Sequence, residues 1–407
     1  MCDLTHRFSG GMNALTTRTQ VAIIGAGPAG LTLSHLLAAR GIDSVVLETR
    51  DREAIESTIR AGVLEQGTVD LLTGTGVDTR VLTEGARHDG VEFRFDGRGH
   101  RIDFAGLVGR SVWLYPQHEV LKDLIATRLA AGADLRFGVS DVVPTGVETD
   151  GPAVHFTDAQ GRRVELRCDV VAGCDGSAGV SRAALPDDRR VDHFRTYPFG
   201  WFGILAEAPP SSPELVYAHS DRGFALISTR TPEVQRMYFQ CAPDEDPAAW
   251  SDARIWDELQ ARVAGDGFAL KEGAIFQRGV IPMRSYVCDP MRFGRLMLAG
   301  DAAHTVPPTG AKGLNLAVAD VVVLARVLEE FLASGQERHL EAYGPTALRR
   351  VWRAQHFSWW MTSMLHTPPD ATPFDIRRQL GELDMVTSSR AGAAYLAEAY
   401  TGWPIDD

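Results

Sequence analysis

The feature that most narrows what this chain can fold into is the string Gly25-Ala26-Gly27-Pro28-Ala29-Gly30, because two different periodicities meet at it. Before it, residues 20–24 are short, apolar and β-branched. After it, Leu31, Leu33, Leu36 and Leu37 recur at helical spacing until Gly41 stops the helix. Residues 44–47 then read as a second apolar strand, ending on Glu48. Strand, glycine turn, helix and strand make a βαβ unit. Gly25 permits the tight turn, Gly27 lets backbone approach a pyrophosphate, and Gly30 lets the helix pack close to the strand. The free N–H groups and dipole at the helix start attract phosphate. Glu48, 18 residues beyond Gly30, is placed to accept hydrogen bonds from ribose hydroxyls. A dinucleotide site is expected here.

The rest of the chain alternates between two textures. Residues 91–103 read as strand, 120–131 as an amphipathic helix, and 154–156 with 163–168 as a hairpin around Asp158-Ala159-Gln160-Gly161. Residues 169–173 form a buried strand running into Cys174-Asp175-Gly176. From about 194 to 282 the segments are aromatic and alternating, interrupted by a helix at 250–263. The buried-strand pattern returns at 295–299, before Gly300-Asp301 and a long helix over 313–334. Residues 346–407 are helical and rich in Trp and Tyr. At about 150 residues per domain, 407 residues predict two or three domains. The expected fold is mixed α/β. Its Rossmann-like dinucleotide domain combines 18–190 with 284–345, and a mainly antiparallel β domain for substrate is inserted at 191–283. A C-terminal helical region follows at 346–407, and residues 1–17 are expected to be a disordered tail, with Met12 as a second possible start.

Composition excludes several classes. The 41 Lys+Arg against 53 Asp+Glu give a net charge of −12 without a basic stripe, which argues against nucleic acid. Five cysteines, an odd number with no C-x-x-C pair, argue against a disulfide framework and against a zinc or other metal site, and fit the cytoplasm. No apolar run is long enough to span a membrane, and the N-terminus lacks the apolar stretch of a secretory signal.

Two acids follow strands, in Cys174-Asp175-Gly176 and Gly300-Asp301-Ala302-Ala303-His304. With the glycine string they resemble, in order, the three FAD motifs of the flavoprotein aromatic hydroxylases. The resemblance implies FAD as cofactor, with Glu48 on the AMP ribose and Asp301 on the ribityl chain, and Asp175 associated with both FAD and NAD(P)H. No second G-x-G-x-x-G lies between strand and helix, so NADPH or NADH would bind transiently, with O2 as co-substrate. The match is closest to the family members that act on 4-hydroxybenzoate. The strings carrying it are Ile59-Arg60-Ala61-Gly62-Val63-Leu64-Glu65-Gln66-Gly67, Tyr197-Pro198-Phe199-Gly200-Trp201, Pro307-Pro308-Thr309-Gly310-Ala311-Lys312-Gly313-Leu314-Asn315 and Phe357-Ser358-Trp359-Trp360-Met361-Thr362.

Alternation points Ser228 and Arg230 to one face of a strand. A guanidinium beside a hydroxyl suits a bidentate grip on a carboxylate, with Tyr238 of the next strand as a third donor. Taken alone, Arg230 reads more readily as a surface ion pair; the resemblance assigns Ser228, Arg230 and Tyr238 to a benzoate carboxylate. Electrophilic hydroxylation of a phenol needs an electron-rich ring, so the site must stabilise the phenolate and lead its proton away. Tyrosine suits that task because its hydroxyl both donates and accepts. Taken alone, Tyr217 reads as a core tyrosine and His88 as a solvated loop residue. By resemblance, Tyr217 contacts the phenol, Tyr400 follows, and His88 delivers the proton to solvent. It also places Pro308 and Thr309 near the substrate, Leu314 and Asn315 near the isoalloxazine, and Lys312 as positive charge beside it. Arg60 and Gln117 match FAD contacts, Arg236 a position tied to flavin movement, and Arg284 a nicotinamide-nucleotide contact.

The pattern departs in two places. Ser177-Ala178 replaces a histidine expected after the Asp-Gly element. In Thr49-Arg50-Asp51-Arg52-Glu53-Ala54 the arginines welcome a 2′-phosphate while the acids oppose it, so NADH and NADPH both stay open. Two other readings stand beside 4-hydroxybenzoate: the same chemistry on an aminated 4-hydroxybenzoate, and a non-catalytic dinucleotide-binding protein. A homodimer through the aromatic C-terminal helices is expected from the resemblance.

Overall fold

Residues 21–24 and 170–173 are apolar on every side chain, the pattern of strands covered on both faces. In the computed structural model, which describes residues 15–405 apart from Ala61, Val21–Ile24 lies between Ser44–Leu47 and Val170–Gly173, parallel to both. Leu296–Leu298 and Asp134–Arg136 extend this sheet in parallel, and Arg292–Phe293 closes one edge antiparallel. The helix Pro28–Ala38 packs between Gln117–Ala130 and Gly313–Ser334. The expected hairpin forms, with Ala153–Thr157 antiparallel to Arg163–Arg167.

The expected tail needs correcting at its end. Leu15–Arg18 is a strand, parallel to Arg163–Arg167, which gives those backbone groups partners. The remainder of that expectation lies outside the described residues.

The larger correction concerns the inserted sheet. It has eight strands, in the order His304–Thr305, Ala274–Asp289, Val191–Glu207, Val234–Cys241, Gly223–Thr231, Val216–Ser220, Gly90–Phe95 and Arg98–Asp103. Three of these come from outside 191–283. Val216–Ser220 is buried and would otherwise leave a bare edge; Gly90–Phe95 pairs with it in parallel. The sheet has two dissimilar faces. Phe202, Ile204, Val216, Ile227, Met237 and Phe239 pack under the helix Asp252–Val263. Trp201, Tyr217, Leu226 and Tyr238 face the helices Glu337–Leu365 and Arg390–Thr401, which contribute Phe357, Met361, Leu396 and Tyr400. Among the described residues, no helix is long and apolar enough to cross a membrane, and no cluster of three or more metal-ligating side chains occurs.

Candidate active site

The three glycines do three different things. Gly25 has φ +105, and a Cβ there would lie 2.4 Å from the Cys174 carbonyl oxygen. A Cβ on Gly30 would lie 1.9 Å from the Gly25 carbonyl oxygen, so only glycine lets the helix seat on its own turn. A Cβ on Gly27 would meet nothing within 4 Å: this residue faces open space. The helix it starts has no side-chain cap and no acid in its first turn, which leaves N–H donors and the positive dipole end available. Glu48 is oriented by backbone, its two oxygens accepting from Ala26 N at 2.8 Å and Arg50 N at 2.9 Å.

Gly25, Gly27 and Glu48 line a cavity of about 550 Å³, together with Arg60, Gln117, Asp175, Asp301 and Leu314. Asp175 Oδ2 accepts from the Ser181 amide and hydroxyl, at 2.9 and 3.0 Å, while its Oδ1 is buried without a partner. Burial pushes the Asp175 carboxyl up, opposed by the Ser181 bonds. Burial also pushes Asp301 up, opposed by positive charge at His304, Arg60 and Arg284. Exposed Arg284 reaches back over the turn, its Nη2 donating to Ser177 Oγ at 3.2 Å. An uncapped helix start, a guanidinium, a backbone-held carboxylate and an orphaned carboxylate oxygen around one cavity fit a dinucleotide with its pyrophosphate and riboses.

A second cavity, of about 260 Å³, shares Gln117, Asp301, Gly313 and Leu314 with the first, so the two adjoin. Ser228, Arg230, Tyr238, Tyr217, Pro308 and Lys312 line it. Tyr217 pairs across the sheet with Leu226, and Arg230 lies four residues further along that strand, about 13 Å away. Arg230 Nε is buried without a partner; burial lowers its pKa, while Tyr238 supports the charge and Arg236 opposes it. The Tyr238 ring crosses Gly203, where a Cβ would come within 2.7 Å of it. Ser228 Oγ donates to Arg236 O at 2.9 Å, a bond it must give up to meet a carboxylate. At the other end the Tyr217 and Tyr400 hydroxyls are 2.7 Å apart, and Tyr217 also donates to Thr309 O at 3.1 Å. Thr309 is held in turn by Thr362 Oγ1 at 2.9 Å. Burial pushes both phenols well up, so both are neutral.

The FAD binding domain family matches residues 18–358. Over 393 residues the chain is 44% identical to p-hydroxybenzoate hydroxylase of Acinetobacter baylyi, covering 96% of this chain and 97% of that protein. The chain belongs to the flavoprotein aromatic hydroxylases. It is 30% identical to a 12-dehydrotetracycline 5-monooxygenase/anhydrotetracycline 6-monooxygenase of Streptomyces rimosus, over 75% of this chain and 62% of that one. In fold it matches p-nitrophenol 4-monooxygenase from Pseudomonas putida, with a TM-score of 0.80, 19% identity and coverage of 95% and 99%. The hydroxylase therefore carries FAD, is reduced by NAD(P)H and uses O2, which removes the reading as a non-catalytic nucleotide binder.

Four expected residues of the hydroxylase sit differently from their sequence reading. Lys312 is not a free charge beside the ring. Its Nζ is buried, 2.6 Å from Glu65 Oε1 and 3.0 Å from Tyr400 O; burial lowers its pKa, opposed by Glu65. Asn315 spends its whole amide on scaffolding, donating to Val63 O and Ala311 O and accepting from Glu65 N and Thr68 Oγ1. Its neighbour Leu314 lines both cavities instead. Arg236 lines neither main cavity; it borders a smaller one of about 150 Å³ beside Gly203 and Gly279, its guanidinium 5.1 Å from the Tyr238 ring. His88 is buried and its Nδ1 accepts from Leu215 N at 3.3 Å, which makes the neutral ring an Nε2–H donor. Burial lowers its pKa, opposed by Glu214 and Asp89, so His88 is a buried strand residue and not a solvated loop residue.

Sequence reasoning missed three supports. Asp320 Oδ2 accepts from Gly300 N at 2.9 Å and lies 2.6 Å from His304 Nε2, tying the long helix to the turn that carries Asp301. The available signal was an acid within Leu314-Asn315-Leu316-Ala317-Val318-Ala319-Asp320-Val321. Glu65 is the second, paired with Lys312. His366 is the third: its Nε2 accepts from Trp201 Nε1–H at 2.7 Å and its Nδ1 donates to Thr362 O at 3.0 Å. Trp201 lines the second cavity. No local pattern announces the last two.

Proposed function

We propose that the hydroxylase converts 4-hydroxybenzoate to 3,4-dihydroxybenzoate, inserting one oxygen atom of O2 ortho to the phenol while NADH or NADPH is oxidised and the other oxygen leaves as water. The observation that carries this reading is that Arg230 and Tyr217 open into one cavity, and that this cavity adjoins the dinucleotide site. The full-length likeness to p-hydroxybenzoate hydroxylase supports it.

FAD, when bound, accepts electrons from the pyridine nucleotide and supplies the activated oxygen. Gly25, Gly27, Gly30, Glu48, Arg60, Gln117, Asp175, Asp301 and Leu314 would hold it, with Arg284 greeting the reductant. Arg230, whose Nε is buried without a partner, takes the substrate carboxylate, joined by Ser228 and Tyr238. That grip fixes the phenol at the Tyr217 end, with Pro308 as a wall. Tyr217 now donates its single proton to Thr309 O. Turning that proton toward Tyr400 frees a Tyr217 lone pair for the phenol proton, so that a proton passes through the two hydroxyls to water and phenolate is left behind. The proposal extends to a homodimer of the cytoplasm, supported by the exposed Trp352, Trp359 and Tyr395 of the C-terminal helices; light scattering tests the dimer.

The deciding experiment incubates the yellow holoenzyme with 4-hydroxybenzoate, O2 and each pyridine nucleotide, and identifies the product. The expected result is near one 3,4-dihydroxybenzoate per nucleotide oxidised. Nucleotide oxidation without that product would overturn the reading.

A further inference from the structure

Tyr400 stands one residue before the end of its helix. The last carbonyls of a helix lack intrahelical partners and carry its negative dipole end. Here the Tyr400 carbonyl and three carbonyls of the segment that follows the helix are held by cations. Lys312 donates to Tyr400 O at 3.0 Å, Arg110 to Gly402 O, and Arg350 to Trp403 O and Pro404 O at 2.6 Å each. Three cations from three separate elements hold four carbonyls within five residues: Lys312 from the start of the long helix, Arg110 from the loop before Val112–Leu114, and Arg350 from the helix Glu337–Leu365. Gly402 gives the clasp its tightness. It has φ +92, and a Cβ there would lie 1.9 Å from Glu65 Oε2, the carboxylate already paired with Lys312.

A relay of two hydroxyls 2.7 Å apart works only if both rings are fixed to within a fraction of an ångström. Tyr217 is fixed by its strand. The Tyr400 ring packs against Phe104 and Phe357, and the backbone that carries it is held at Tyr400 and at the three carbonyls beyond the helix by charge-assisted bonds. Neither Arg110 nor Arg350 lines either cavity. We propose that Arg110 and Arg350 are positioning residues for the proton relay, acting on the bound phenol through the placement of Tyr400. This rests on the reading of Tyr217 and Tyr400 as that relay.

The test reads the ionisation of 4-hydroxybenzoate bound to the holoenzyme from its ultraviolet difference spectrum across pH, alongside product formed per nucleotide oxidised. Arg350→Ala, and more so Arg110→Ala with Arg350→Ala, should raise the midpoint of phenol ionisation by about one pH unit and lower the hydroxylation rate on the order of tenfold. FAD affinity should stay within about twofold, because neither arginine reaches that cavity. Arg350→Lys keeps the charge but loses the two-carbonyl fork, so it should fall between, and it serves if the double variant does not fold. Full recovery by Arg350→Lys would make the effect charge alone and overturn positioning. In a Tyr400→Phe background the arginine substitutions should add nothing; a further shift there would also overturn it. A wild-type enzyme that ionises the phenol, with an Arg350→Ala variant that titrates identically, sinks the clasp alone. A wild-type enzyme that binds 4-hydroxybenzoate and never ionises it sinks the relay and the clasp together.

Discussion

The two adjoining cavities are built from different materials. The dinucleotide cavity has a backbone core, a glycine turn, a helix start and a carboxylate held by two amides within residues 25–50, to which Arg60, Gln117, Asp175 and Asp301 are added from elsewhere. The substrate cavity is side chains brought from the strands Val216–Ser220, Gly223–Thr231 and Val234–Cys241, the turn at Pro308 and, behind Tyr217, the helix Arg390–Thr401. A backbone site tolerates no change of residue where atoms already touch. A side-chain site survives most single changes as a fold and loses one function at a time.

That contrast is sharpest at Gly30, where the largest effect is expected. Gly30→Ala forces a methyl into the Gly25 carbonyl and should cost more than about 3 kcal/mol, seen as loss of folded protein by circular dichroism. Gly27→Val is the counter-experiment. Gly27 has φ −79 and an empty neighbourhood, so the apoprotein should melt close to wild type while FAD affinity collapses in fluorescence titration. Equal melting of the two variants would break the comparison. On the substrate side, Arg230→Ala should weaken 4-hydroxybenzoate binding about 100-fold by calorimetry with FAD affinity unchanged. Tyr217→Phe should leave binding nearly intact and lower product per nucleotide oxidised, with hydroxylation slowed on the order of tenfold.

The last effect is confined to acid pH and concerns the support behind the substrate wall. Burial lowers His366 from 6.5 to about 3, so the native ring stays neutral where the unfolded chain takes up a proton. Its contribution is complete above pH 6.5 and is lost as pH falls toward 3, at about 1.4 kcal/mol per pH unit. His366→Gln, which keeps an acceptor for Trp201 Nε1–H, should flatten urea-denaturation stability over that window. An unchanged slope would show that the ring is not held neutral.

Legibility in the sequence followed the same division. The βαβ unit, the hairpin at Asp158 and the helix Gly313–Ser334 were readable because each is specified by neighbours a few residues apart. The recruitment of Gly90–Phe95 and Arg98–Asp103 into the eight-stranded sheet was not, since strand pairing across 120 residues leaves no local trace. Among site residues, Arg230, Ser228 and Tyr238 could be grouped by alternation. The partners of Lys312 and His366 could not, because Glu65 and Trp201 arrive from 247 and 165 residues away. Lys312 shows the consequence: its type announces a charge, and its partner decides where that charge is spent.

The sequence by itself determined the nucleotide-binding turn, because turn geometry and helix polarity depend on residues within one short segment. It also determined which chemical groups were available to a phenolic acid. Only the tertiary structure decided that Arg230 and Tyr217 share a cavity, that Tyr400 meets Tyr217, and that His88 is buried. Those outcomes depend on which distant elements exclude water together, and burial with its hydrogen-bond partners is a property of the packed chain.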